Sequence, residues 1–120
     1  MENNIEAILI KYFNDNLPEG WEAFADIPDV KPDQYVQVER TGGPVGSVRI
    51  EVPEVIVSFY HKTSAVEASK VALDMDIKMR AEIIRHNAVS KAERLSLVRL
   101  DDLVTKYRRY QAYYSFVCLI

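Results

Sequence analysis

Residues 55–85 read VIVSFYHKTSAVEASKVALDMDIKMRAEIIR, and the change of period inside this stretch decides the fold. Val55, Ile56, Val57, Phe59 and Tyr60 make a nearly continuous apolar run, the pattern of a strand covered on both faces. After Ser64 the period lengthens. Ala68, Val71, Ala72, Met75, Met79, Ile83 and Ile84 recur at helical spacing, while Glu67, Lys70, Asp74, Lys78, Glu82 and Arg85 take the other side. Ser64 with Glu67 three residues later has the spacing of a capping box, so the sequence predicts a helix over Ser64–Arg85. A Met/Ala stripe of this kind is a core face.

Working outward, Val48–Tyr60 is predicted as one strand, with Pro53, which cannot donate to a ladder, marking an edge, bulge or bend. Before it, Gln34–Arg40 alternates, and Val36 and Val38 share a face. The segment Thr41–Ser47 carries three glycines and a proline and reads as a loop, so the two strands form a hairpin with a long glycine-rich tip at 41–47. Further upstream, Ile5, Ile8, Leu9, Tyr12 and Phe13 draw the stripe of an amphipathic helix, capped by Asn3 or Asn4 and ended by Asn16, Pro18 and Gly20. A short strand at Trp21–Ala25 is weakly indicated. Downstream, Leu95–Leu100 alternates, Asp101-Asp102 reads as a turn, and Tyr110–Ile120 alternates as a last strand. The order is α-(β)-β-β-α-β-β, with no βα alternation. The class is therefore α+β, an antiparallel or mixed sheet with two helices packed on one face.

At 120 residues the chain is one domain, 1–120, and can bury roughly two-thirds of its unfolded surface without a staple. Apolar residues at 48% are too many for a disordered chain. The single cysteine, Cys118, fits a reducing compartment. No run approaches the roughly 18 apolar residues of a membrane span, and the opening MENNIEAILI is acidic where a secretory leader is basic, so no membrane partner is expected. The net charge of −3 is unevenly spread. Residues 1–39 hold nine acids against two bases, and residues 40–120 hold nine against thirteen, so an acidic side of one copy can meet a basic side of another.

No catalytic set is legible. The two histidines, His61 and His86, and Cys118 reproduce no zinc spacing, and no nucleophile has a base and an orienting group. His86 reads as a helix-end residue, His61 as a solvent-facing strand end, and Cys118 as a buried small hydrophobe. Asp74 and Asp76 are two apart on a helix and point different ways. The glycines of Gly42–Gly46 lack the Lys-Ser/Thr ending of a phosphate loop. No catalytic, cofactor or metal residues are assigned. The most unusual composition is Lys106-Tyr107-Arg108-Arg109-Tyr110, whose interleaved rings and cations suit a protein–protein surface or a single-stranded nucleic-acid platform.

The segment Lys31-Pro32-Asp33-Gln34-Tyr35-Val36-Gln37-Val38-Glu39-Arg40-Thr41-Gly42-Gly43 resembles small bacteriophage tail-terminator (tail-completion, or head–tail joining) proteins. There an extended Pro-Asp-x-aromatic-Val-x-Val strand runs into Arg-Thr-Gly-Gly. A hydrophobic strand, an Ala-rich helix and a closing strand entered by Arg-Tyr follow, as Ile50–Tyr60, Ser64–Arg85 and Arg109-Tyr110 do here. The chain departs from that pattern in having neither glycine nor proline in Asp101–Lys106, and in carrying Phe59-Tyr60-His61 where the family has an aromatic-Ala pair. The resemblance implies a non-enzymatic virion protein, assembled in the host cytoplasm as a homo-oligomeric ring, a hexamer in that family, on the head-proximal end of the tail. Its partners would be further copies of itself, the tail-tube protein and the head-completion connector, with DNA only as passing cargo. A neighbouring head-closure role and a nucleic-acid module are the alternatives. The expected assembly residues are Arg40, Thr41, Gly42, Gly43, Pro44 and Val45 of the tip, with Arg108, Arg109 and Tyr110.

Overall fold

A computed structural model describes residues 4–44 and 46–119. Helix α1 (Ile5–Asn16) starts at Asn4, whose side-chain oxygen accepts from the backbone N–H of Glu6 and Ala7. It is followed by strands β1 (Ala23–Phe24) and β2 (Gln34–Gly42), then β3 (Ile50–Glu51) and β4 (Glu54–His61). Helix α2 (Ala65–Glu82) ends in a 3₁₀ turn, Ile83–Arg85, and strands β5 (Val89–Arg99) and β6 (Arg108–Leu119) close the fold. The alternative cap, Asn3, lies outside the described residues.

The sheet runs β1-β2-β4-β6-β5 and is antiparallel except for β1, which lies parallel to β2 with Ala23 beside Val36. A two-residue strand has few ladder bonds of its own. Asn14 of α1 supplies the rest: its side-chain amide donates to the carbonyl of Ala23 and accepts from the Ala23 N–H. Strands β3 and β4 keep one register against β6, with Ile50 opposite Leu119 and Glu54 opposite Ser115. They are one strand interrupted at Val52–Pro53, where the Pro53 carbonyl still accepts from Phe116 N–H. The predicted strand thus begins at Ile50 rather than Val48, whose side chain is 93% exposed.

Alternation sorts the two sheet faces. Val36, Val38, Val55, Val57, Phe59, Ala112, Tyr114, Phe116 and Cys118 join Leu9 and Phe13 of α1 and Ala68, Val71, Ala72, Met75 and Met79 of α2 in one core. The opposite face is polar along Gln37, Ser58 and Gln111, with Gln111 donating to the Ser58 hydroxyl. Both helices therefore cover one face. Strand β5 departs from simple alternation: Arg94 faces Tyr114 and Ser96 faces Tyr113, so a bulge expels Leu95 and leaves it exposed. Ile84, expected in the core, is 49% exposed because the tightening to 3₁₀ geometry rotates it away behind Ile83.

The start of α2 corrects the reading of His61. The Ser64 hydroxyl accepts from Glu67 N–H, as a cap should, but the reciprocal partner is not Glu67. His61 Nδ1 accepts from the backbone N–H of both Thr63 and Ser64, turning the chain from β4 into α2. At the middle of α2, Asp76 is buried within the apolar stripe. Its carboxylate takes a bidentate pair from Arg80 at 3.0 and 2.9 Å, one bond from Arg94 at 3.1 Å and the Tyr114 hydroxyl at 2.7 Å. The hydrogen bond to Asp76 raises the Arg80 guanidinium, and burial followed by that same carboxylate raises the Tyr114 phenol, so both keep their protons.

Asp76→Ala should lower unfolding free energy by about 3 kcal/mol, because it strands two guanidinium groups and a buried phenol. Tyr114→Phe, which removes one bond to a charged acceptor, should cost about 2 kcal/mol. Urea titration followed by circular dichroism measures both.

Candidate assembly interface

The expected interface residues fall into two groups, and β6 separates them. Gly42 pairs with Glu54, which pairs with Ser115, whereas Arg108 pairs with His61 at the far end of β4. Arg108 and Ser115 are seven residue steps apart along β6, about 23 Å. Arg40–Pro44 and Arg108–Tyr110 therefore occupy opposite ends of the sheet and do not form one site in one protomer.

At the first end, β2 runs on past an irregularity at Thr41 to Gly42, which still pairs with Glu54, so the loop begins at Gly43, two residues later than expected. Gly43 has φ +128°, and a β-carbon there would lie 2.1 Å from the Val52 carbonyl oxygen. Only glycine lets the chain pass so close. Arg40 forms an ion pair with Glu51, and Ser47 bridges Ile50, which folds the tip back against β3. Residues Arg40, Thr41, Gly42, Gly43 and Pro44 are exposed there. Val45 lies outside the described residues.

At the second end the three expected residues have different surroundings. Arg108 donates to the Lys106 carbonyl and keeps to its own loop. Arg109 is locked: Nε donates to the Leu100 carbonyl at 2.7 Å, Nη1 to the Tyr60 hydroxyl at 3.4 Å, and the guanidinium carbon lies 5.7 Å from the Tyr60 ring centre. Beneath it Tyr35 and Tyr60 stack with centroids 4.5 Å apart, and Tyr107 closes the cluster with its hydroxyl on the Pro32 carbonyl. Burial, then the neighbouring Tyr60, Tyr107 and Asp102, raises the Tyr35 phenol, which stays protonated. Tyr35, Tyr60 and Tyr107 are thus core side chains on the face away from the helices, where bases cannot stack on them. Tyr110 is half-buried and points to the helix face.

The β5–β6 connection, residues 100–107, holds two side chains that composition did not single out. Leu103 and Val104 are 82% and 89% exposed on a tightly bonded turn. Asp102 Oδ1 accepts from Val104 and Thr105 N–H, its carbonyl accepts from Lys106 N–H, and Lys106 takes φ +67°. Burial alone would raise the Asp102 carboxyl, but those backbone donors outweigh it and hold the group below its ordinary value. Asp101 is lowered by the paired Arg99 guanidinium, at 3.0 Å.

At the other end of α2, α1 and the 3₁₀ turn enclose an open groove of about 510 Å³ with Ala7, Ile8, Tyr12 and Ile83 as apolar walls and Lys11, Asp15, Glu82, Arg85 and His86 on its rim. Tyr12 donates to Glu82. His86 Nδ1 accepts from Ala88 N–H and its own N–H closes the turn on Ile83. His61 and His86 stand at opposite ends of α2 and are not brought together. Among the described residues, no three His, Cys, Asp or Glu side chains are grouped to hold a metal ion, and no helix is long and apolar enough to cross a membrane. No protein-family model matches the chain, and no curated protein matches it at a significant level.

Two outcomes follow from these contacts. Arg109→Glu should destabilise the fold by about 2 kcal/mol, since it places a carboxylate against the Leu100 carbonyl, while Arg108→Glu should shift it by less than about 0.5 kcal/mol; thermal melts of the two variants test this. Burial, with a smaller contribution from Glu51, pushes the Cys118 thiol up to about 11. Its alkylation by iodoacetamide at pH 8 should therefore be slow in the folded protein and fast in urea, because only the thiolate reacts.

Proposed function

We propose that this chain is a structural subunit of a phage or prophage virion that caps the head-proximal end of the tail tube as a ring and offers the surface for head joining, with no catalysis of its own. The reading is carried by the Lys31–Gly43 segment and its placement. Val36 and Val38 anchor the segment in the core, and the Arg-Thr-Gly-Gly end is delivered to an exposed tip at the end of the sheet. A ring closed by rotation needs two different surfaces on each protomer. The β5–β6 connection supplies one of them, and the tip at the opposite end of the sheet stays free for the tail tube or the connector. The acidic N-terminal third and the basic remainder add sign complementarity that steers such contacts. The same ring would engage the tail-tube protein on one side and the connector on the other, with DNA passing through.

Deleting residues 42–46 should leave the melting temperature within a few degrees of the parent, since the tip contributes little to the core. In the phage that encodes the chain, the same deletion should yield heads and tails that fail to join, scored by electron microscopy and plaque count. Normal virions from the deleted protein would refute the proposal. Tight oligonucleotide binding that collapses between 50 and roughly 200 mM salt would instead favour a nucleic-acid role.

A further inference from the structure

We infer that copies of this chain join head to tail, with Leu103 and Val104 of one copy seated in the Ala7/Ile8/Tyr12/Ile83 groove of the next and Asp102 meeting Arg85. The inference rests on the self-association contained in the proposed function, and it names the surfaces that carry it.

Single exposed aliphatics are ordinary on a protein surface. Two adjacent ones on a turn are different when the turn is already fixed by four backbone hydrogen bonds through Asp102. A knob ordered before contact loses little conformational freedom on docking. The groove is likewise preformed. The Tyr12 hydroxyl is tied to Glu82, which sets the ring as a wall, and Ile8 and Ile83 form the floor. Its volume of about 510 Å³ accommodates two aliphatic side chains.

The charges complete the match. On the knob side Asp101 is engaged by Arg99, whereas Asp102 has no ion pair among the described residues. On the groove side Asp15 is engaged by Lys11 at 2.9 Å and Glu82 by Tyr12, whereas Arg85 has no ion pair among the described residues. One unpaired acid beside the knob and one unpaired cation on the groove rim are the pair a docked neighbour would bring together. Arg99 and Tyr110, at the base of the knob, share a hollow with Ala65 and Val66 at the start of α2, and the groove is lined by Glu82, Ile83, Arg85 and His86 at its end. The 18 residues of α2 span about 27 Å. Knob and groove therefore cannot meet within one molecule. A heterologous contact between different patches closes into a ring when its rotation permits.

The test uses the full chain. Leu103→Cys protein mixed with Ala7→Cys protein should cross-link under a short bismaleimide, and neither should cross-link alone, Cys118 being buried in both. Leu103→Ser/Val104→Ser should weaken self-association in sedimentation at least tenfold without changing the melt, as both side chains face solvent. Arg85→Gln and Asp102→Asn, the latter keeping the oxygen that accepts from Val104, should each weaken it by about tenfold, and the double variant no more than either alone. A chain monomeric at every concentration would overturn both this contact and the self-assembly of the proposed function. An oligomer indifferent to these substitutions, or one cross-linked instead through Ile77→Cys on the exposed side of α2, would overturn the contact alone.

Discussion

Asp76 is the constraint around which the helix, the sheet and the last hairpin are arranged. A carboxylate buried in an apolar stripe is tolerable only if every oxygen lone pair finds a donor, and here the donors come from three elements: Arg80 from α2 itself, Arg94 from β5 and Tyr114 from β6. Apolar contacts would allow α2 to slide or rotate over the sheet at modest cost. Four charge-assisted bonds of fixed direction do not. They set the height of α2 along β6, and through it the distance between the two ends of the molecule. The bulge after Arg94 serves the same centre, since it lets Arg94 face Asp76 while the strand beyond resumes its pairing with β6.

Irregularities elsewhere in the sheet are placed where pairing must change. Pro53 divides one long strand into β3 and β4 without altering the register, so the chain bends while the ladder to β6 continues. Gly43 admits the crossing of the tip over Val52. Asn14 replaces with its side chain the hydrogen bonds that a two-residue parallel strand lacks. Each solves a backbone hydrogen-bonding problem at the rim of the sheet, and together they leave the middle of the molecule regular and its two ends shaped.

Those ends are where a structural role would be exercised. The exposed Arg40–Pro44 tip and the Leu103–Val104 turn stand at opposite ends of the sheet, and the groove between α1 and the end of α2 lies a helix length from that turn. Such an arrangement suits association with neighbours better than enclosure of a small molecule, because the recognisable surfaces face outward and apart. The tyrosine cluster under Arg109 supports this by stiffening the second end: it covers that end of the sheet face the helices leave open and fixes the base of the β5–β6 connection.

The α+β class, the capped α2, the hairpin with its glycine tip and the Val36/Val38 face were all legible in the sequence, because period and capping are local properties of neighbouring residues. Asp76 was read only as one of two helix carboxylates pointing different ways, and nothing in the sequence named Arg80, Arg94 or Tyr114 as its partners. His61 as a turn-forming acceptor, Arg109 as a clamp on Tyr60, the expulsion of Leu95 and Ile84, and the exposure of Leu103 and Val104 came only with the tertiary structure. The Arg109 clamp and the expulsion of Leu95 depend on which strand lies beside which and in what register, and contacts such as Arg94 to Asp76 and Tyr107 to Pro32 join residues 18 and 75 apart. The His61 turn, the tightening at Ile84 and the Asp102 turn are local bonds, but the conformation that makes them is fixed by the elements on either side. Local pattern specifies which face of an element is apolar, whereas the identity of what that face meets is set by the packing of the whole chain.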